Sequence, residues 1–229
     1  MTFLEVCAAD MASVAAAVRG GAYRIELCTG LSADGFTPSA GFIRSARQLT
    51  NGRCLMNVLI RPDEAAGFVL DGPTAGVALH DIVSACEAGA DGIVAGALTP
   101  LRTLDTAFVS QAVNIAHSMG KSFTFHRAFD IAANPFKVLD QLIDLGCDCI
   151  LTSGQAPTAE KGIPVLAELI ARVNGRIAIM PGAGVRPENA AEIVRRTGCG
   201  IIHSSARRPG AISSDPGTVG SIVTSIRNL

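Results

Sequence analysis

Two short runs share a spacing that could do chemistry. Glu5-x-Cys7 and Glu26-x-Cys28 each set a carboxylate and a thiol two residues apart. In an extended strand, that spacing puts both side chains on one face. If the face turns inward, two carboxylates and two thiols converge. A further set lies in SFTFHRAFD, where His126 and Arg127 are adjacent and Asp130 follows three residues on. Histidine titrates near neutrality and suits proton transfer. Arginine can clamp a carboxylate or phosphate with two parallel hydrogen bonds. Arg61, Thr152-Ser153-Gly154, Gly182, Gly184 and His203-Ser204-Ser205 also stand at the ends of apolar runs.

The elements that must position these residues follow one rhythm. A helix-like segment ends in glycine, and an apolar run begins a few residues later. Gly21, Gly52, Gly89, Gly120, Gly146, Gly175 and Gly198 are the stops. Glycine suits the left-handed position just past a helix end. The spacing is that of one strand–helix unit, roughly 30 residues. FLEVCA, RIELC, CLMNVLIRP, GIVAGAL, SFTFHR, CILTSG, RIAIMPG and GIIHSSA are the expected strands. Short apolar runs of this kind suit parallel strands buried on both faces. Eight strands alternating with eight amphipathic helices predict a (β/α)8 TIM barrel, an α/β fold, as one domain over residues 1–229. An open doubly wound sheet is the weaker reading, because no G-x-G-x-x-G follows the first strand.

Barrel enzymes carry their chemistry at the C-terminal ends of the strands, and the polar residues fall there. Glu5, Glu26, His126, Asp130 and His203 are the candidate acid–base and orienting groups. Arg61, Arg127, Ser153, Gly154, Gly182, Gly184 and Ser205 are the candidate substrate contacts. Buried carboxylates need partners, and Arg61, Arg127 and His126 are the expected ones. Within SFTFHR, Thr124 and His126 share the expected lumen face, and His126 is the favoured group for chemistry. Asp130 is expected to orient Arg127 or cap the next helix. Cys147-x-Cys149 opens strand six and should pack at the opposite end of the barrel.

The runs LEVCA, RIELCTGLS, IRP, GADGIV, FTFHRAFD, ILTSG, IMPGAGV and HSSA occur in this order, from Phe3 to about Arg207. Together they resemble the CutC family, linked by name to copper homeostasis. The resemblance implies a TIM barrel and copper as the ligand, with Cu(I) held by the thiolates of Cys7 and Cys28. Cu(I) does prefer such soft ligands. Glu5, Glu26, Arg61, His126, Arg127, Asp130 and His203 match the family's polar set at the barrel mouth. Two loops depart from the pattern. The basic, glycine-rich stretch after IRP is replaced by Asp63-Glu64-Ala65-Ala66-Gly67-Phe68, and Pro100-Leu101 stands where Asp-Gly is expected. Two functions stay open: a copper-homeostasis protein, or an enzyme acting on a small anionic or phosphorylated metabolite at the barrel mouth.

Bulk properties narrow the field. Of 229 residues, 48% are hydrophobic and 17% charged, enough apolar material for a large core. The formal net charge is −1 without long charged runs, which argues against nucleic acid or a membrane surface as partner. No leader or membrane span is expected, so the location expected is cytoplasmic. The seven scattered cysteines are expected to be reduced thiols. The expected partner is a small molecule or a metal ion, and the small-residue face of ASVAAAV could support a homo-oligomer.

Overall fold

The computed structural model describes residues 1–65, 68–227 and 229. Ala66 and Gly67 of the altered loop after IRP lie outside the described residues. The chain alternates β1 (Phe3–Ala8), α1 (Met11–Gly20), β2 (Arg24–Leu27), α2 (Ala40–Thr50), β3 (Leu55–Leu59), α3 (Gly72–Glu87), β4 (Gly92–Ala95) and α4 (Thr106–Ser118). It continues with β5 (Ser122–Phe125), α5 (Pro135–Asp144), β6 (Cys149–Thr152), α6 (Ile163–Val173), β7 (Ala178–Pro181), α7 (Pro187–Thr197), β8 (Ile201–Ser204) and α8 (Pro216–Ile226). The parallel ladder runs β7-β6-β5-β4-β3-β2-β1-β8, and β7 and β8 lie side by side at the nearly closed seam. This is the expected (β/α)8 barrel.

Local chemistry sets the element boundaries. Asp10, Ser39, Asp71, Asp105, Asn134 and Asp215 each accept a backbone N–H from the first turn of the helix that follows. α1 ends at Gly21, whose φ of 81° is the left-handed stop the sequence implied. α3 starts earlier than its apolar periodicity suggests. Asp71 caps it and Pro73 sits in its first turn, so the Gly72-Pro73 pair initiates the helix instead of belonging to the loop.

Strand periodicity divides the barrel into two cores. Leu4, Val6, Ile25, Leu27, Ile93, Phe123, Phe125, Ile150, Ile179 and Ile202 belong to one continuous layer packed with the helices. The alternate residues fill the lumen. Cys149, Leu151, Met180 and Ile201 form one small apolar cluster there, and Cys7, Cys28, Leu59 and Val94 form another. Charge lies with these clusters: Arg24 is in register with Glu5, and Glu5 with His203. A barrel lumen usually holds branched apolar side chains; this one holds ion pairs. Glycine also makes room for neutral polar side chains in the lumen. A Cβ at Gly92 would stand 2.3 Å from Ser122 Oγ and 2.4 Å from Asn57 Oδ1.

Candidate functional site

The site begins with a buried carboxylate. Glu5 is fully buried in β1, and its two oxygens have different partners. Oε2 accepts from Arg24 Nε, and Oε1 pairs with His203 Nδ1 at 2.8 Å. The opposite ring nitrogen, His203 Nε2, lies 3.5 Å from Glu26 Oε2. One chain therefore runs Arg24–Glu5–His203–Glu26 across three adjacent strands. One strand position further along, Cys7 Sγ and Cys28 Sγ stand 3.6 Å apart. Cys7, Glu26 and His203 each bring a possible ligand atom within 4.8 Å of the others.

The electrostatics separate the two glutamates. Burial alone would raise both pKa values. For Glu5 the Arg24 charge and the His203 hydrogen bond overcome burial and hold it at about 2. For Glu26 burial wins, helped by the Glu5 charge, and lifts it to about 7. His203 loses charge stability to burial, but its hydrogen bond to Glu5 and the charge of Glu26 leave it above the ordinary value. The Cys7 thiol is pushed well up by its contact with Cys28, by burial and by Glu26. Without a ligand the floor thus holds one fixed carboxylate, one carboxylate that titrates near neutrality, and a protonated Cys7 thiol.

Above this floor opens a cavity of about 700 Å³ at the C-terminal ends of the strands. Cys7, Glu26, Cys28 and His203 line it from below. Arg61, Phe68, His126, Arg127 and Asp130 line it further out, with the Ala183–Glu188 and Ser204–Pro209 segments. Arg61 Nη1 donates to the carbonyls of Ala33 at 2.6 Å and Gly35 at 2.9 Å. Its guanidinium lies 5.1 Å from the Phe36 ring centre and 5.7 Å from that of Phe68. It is therefore held in place without a carboxylate.

Arg61, Arg127 and His126 are the partners the sequence suggests for the buried glutamates, and the structure gives Arg24 and His203 instead. Arg127 turns to Asp130 at 2.8 Å, and Arg24 takes the charge of Glu5. The period-2 run Arg24-x-Glu26-x-Cys28 carried that signal, because all three residues share a face. The expectation that His126 titrates near neutrality is also overturned. It is buried against Phe68, its Nδ1 accepts the Ala128 N–H, and burial lowers its pKa to about 4. It is a neutral ring in the cavity wall at pH 7.

The other expected residues divide into those that face the cavity and those that support it. Asp130 touches the cavity but spends its oxygens on Arg127, Thr152 Oγ1 and the backbone N–H groups of Ser153 and Gln155. It ties the turn after β5 to the end of β6. Ser153 Oγ donates to Ala156 O at 2.6 Å, and Gly154 N–H donates to Thr152 Oγ1 at 2.9 Å. Both lie behind the cavity lining. Gly182 is also outside it, but a Cβ there would stand 2.6 Å from Leu151 Cδ1 and 3.4 Å from His203 Cβ. It clears space beside the histidine. Gly184, with φ 72°, and Ser205 line the cavity directly. All seven cysteines are free and buried, and Cys149 packs in the lumen cluster with Leu151, Met180 and Ile201. Among the described residues no helix is long and apolar enough to cross a membrane.

Comparison with known proteins bears on this arrangement. The model of the CutC family matches residues 2–208. A family protein CutC from Bacteroides fragilis is 46% identical over 204 residues, covering 89% of this chain and 79% of its own. A second, from Parabacteroides distasonis, is 44% identical over 204 residues, covering 89% and 82%. The crystal structure of the putative copper homeostasis protein CutC from Streptococcus agalactiae superposes with a TM-score of 0.83. It is 31% identical and covers 90% of this chain and 99% of its own.

Proposed function

The chain belongs to the CutC family, and on that premise we propose that its barrel mouth binds Cu(I) through Cys7, Cys28 and His203. The setting of His203 carries this reading. Histidines that ligate metals nearly always give their other ring N–H to a carboxylate, which fixes the tautomer. Here Nδ1 faces the buried, ionised Glu5 at 2.8 Å, so Nε2 is the ring nitrogen left beside Glu26, with Cys7 close by. Arg24 keeps Glu5 charged. Two sulfurs and one imidazole form a soft donor set, which favours Cu(I). That the Streptococcus agalactiae relative is described as a copper homeostasis protein supports copper as the cargo.

Binding must remove protons from the thiols, so it releases protons and weakens as the pH falls. The same donors suit Zn(II), so the test includes it as a competitor. Reduced protein is titrated with Cu(I) against a competing chelator, alongside Cys7→Ser, Cys28→Ser and His203→Gln. Tight one-to-one binding that is lost in either serine variant and weakened in His203→Gln supports the reading. Binding unchanged in both serine variants, or a preference for Zn(II), contradicts it.

A second reading has its own support. A cavity of about 700 Å³ exceeds what an ion needs and lies within the range of small-molecule sites. Glu26, lifted to about 7 beside His203, could exchange a proton with a bound metabolite. Arg61 would hold the anionic group. A metabolite set screened by thermal shift against wild type and Arg61→Ala tests it. A ligand that stabilises both proteins equally excludes that role for Arg61.

A further inference from the structure

We infer that the cavity receives Cu(I) as a complex with a low-molecular-weight thiol that carries carboxylates, the thiol staying on the metal while its carboxylates pair with rim arginines. This rests on the Cu(I) reading of the floor and names the form in which the metal is bound. The first observation is size: the metal donors lie at the base of a cavity of about 700 Å³. The volume above the sulfurs is that of a small organic ligand.

The second observation is charge. Arg61 and Arg207 line the cavity, and among the described residues neither has a carboxylate partner. Arg61 is preset by the carbonyls of Ala33 and Gly35 and by two aromatic rings, so little side-chain freedom is lost when it takes up an anion. A bare cation gains nothing from such arginines, whereas a carboxylate gains a charge-assisted pair.

The third observation is the donor count. Cys7, Cys28 and His203 all donate from the floor, and the cavity adjoins them, so a further position on the metal is reached from the cavity. A thiolate from above can keep its place on a soft metal. The exchange balances without electron transfer. Cu(I) arrives with two carrier thiolates. Cys7 and Cys28 each lose a proton and form a Cu–S bond, and His203 Nε2 gives its lone pair to the metal. One carrier thiolate leaves and takes up one of those protons, and the other proton passes to solvent. The second carrier thiolate remains bound.

The test presents Cu(I) to the reduced full-length protein with glutathione, or with cysteamine, which has no carboxylate. Native mass spectrometry counts the thiol retained, and chelator competition measures the metal separately. A ternary complex with one copper and one glutathione, and copper alone from cysteamine, is the expected result. Arg61→Gln and, independently, Arg207→Gln should weaken glutathione retention, the former about tenfold, as loss of one charge-assisted pair implies, while copper affinity holds. Copper bound with no thiol retained, or with both thiols retained equally, overturns the inference and leaves the thiolate site standing. Retention unchanged in both arginine variants overturns it too. Failure to bind copper from any source refutes the Cu(I) reading itself.

Discussion

At the residue scale, the lumen is organised by one ionised glutamate. Glu5 has no exposure and survives as a carboxylate because Arg24 and His203 both face it. Removing one member of a buried pair leaves the other uncompensated, at roughly 3–5 kcal/mol. Glu5→Gln should therefore destabilise the fold by about that much in a denaturant titration. Glu5→Gln combined with Arg24→Met should recover part of the loss; a double variant no better than the sum of its parts would show that the pair does not act as a unit. Glu26 offers a test with the opposite sign. Its folded pKa of about 7 lies above the ordinary value of 4.5, so the folded chain binds this proton more tightly. The stability it contributes is present below 4.5 and is lost as the pH rises through 7. Glu26→Gln should gain on wild type as the pH rises from about 5 to about 8, by up to roughly 3 kcal/mol. A gap independent of pH would contradict the shift. Much of this site was legible from spacing, since Glu-x-Cys on two adjacent strands implied a shared inward face. Arg24 was missed because a charged residue opening a strand reads as a solvated end, although it shares a face with Glu26.

At the element scale, each strand end delivers its residues because the backbone beside it is fixed. Asp130 joins the turn after β5 to the end of β6 through Thr152, Ser153 and Gln155. Asp130→Ala leaves Thr152 Oγ1 and two N–H groups without an acceptor, at about 1–3 kcal/mol for each group that stays buried. Faster amide exchange at Ser153 and Gln155 would follow, with no change at β1 or β2; unchanged exchange at both residues would show that Asp130 is not the tie. Gly182 allows β7 to pass close to Leu151 and His203. Gly182→Ala should cost about 1–3 kcal/mol by overpacking, and it should weaken metal binding by displacing His203. The strand and helix order was readable because glycine stops and apolar runs alternate along the whole chain. The early start of α3 was not, because Asp71-Gly72-Pro73 reads equally as a loop until the cap on Thr74 is seen. His126 misled for a related reason. Its sequence setting resembles a catalytic strand end, and only the packing of Phe68 against it shows why burial keeps it neutral.

At the scale of the whole molecule, the barrel concentrates its unusual chemistry at one end and its ordinary packing everywhere else. The helix–sheet layer is continuous and apolar, while the lumen holds charge, sulfur and a large cavity. That division explains why the fold could be read from periodicity while the ligand could not. Periodicity reports which residues face inward, whereas the ligand depends on how Cys7, Cys28, His203 and Glu5 meet across strands far apart in sequence. Acid should act on the molecule as a whole. Glu5 is held at about 2 against 4.5, and His126 at about 4 against 6.5. Both contribute stability that is lost as the pH falls, His126 between 6.5 and 4 and Glu5 from 4.5 toward 2. Denaturation midpoints measured from about pH 6.5 down to about 4 should fall more steeply in wild type than in His126→Asn, which lacks the first of these contributions; parallel curves would count against it. In the proposed site two sulfurs and one imidazole hold Cu(I). X-ray absorption at the copper edge, on protein loaded from a thiol-free chelator, tests it most directly. Two sulfur scatterers and one nitrogen are expected, with one sulfur lost in Cys7→Ser. A shell of oxygen and nitrogen alone, or one unchanged by Cys7→Ser, would contradict it.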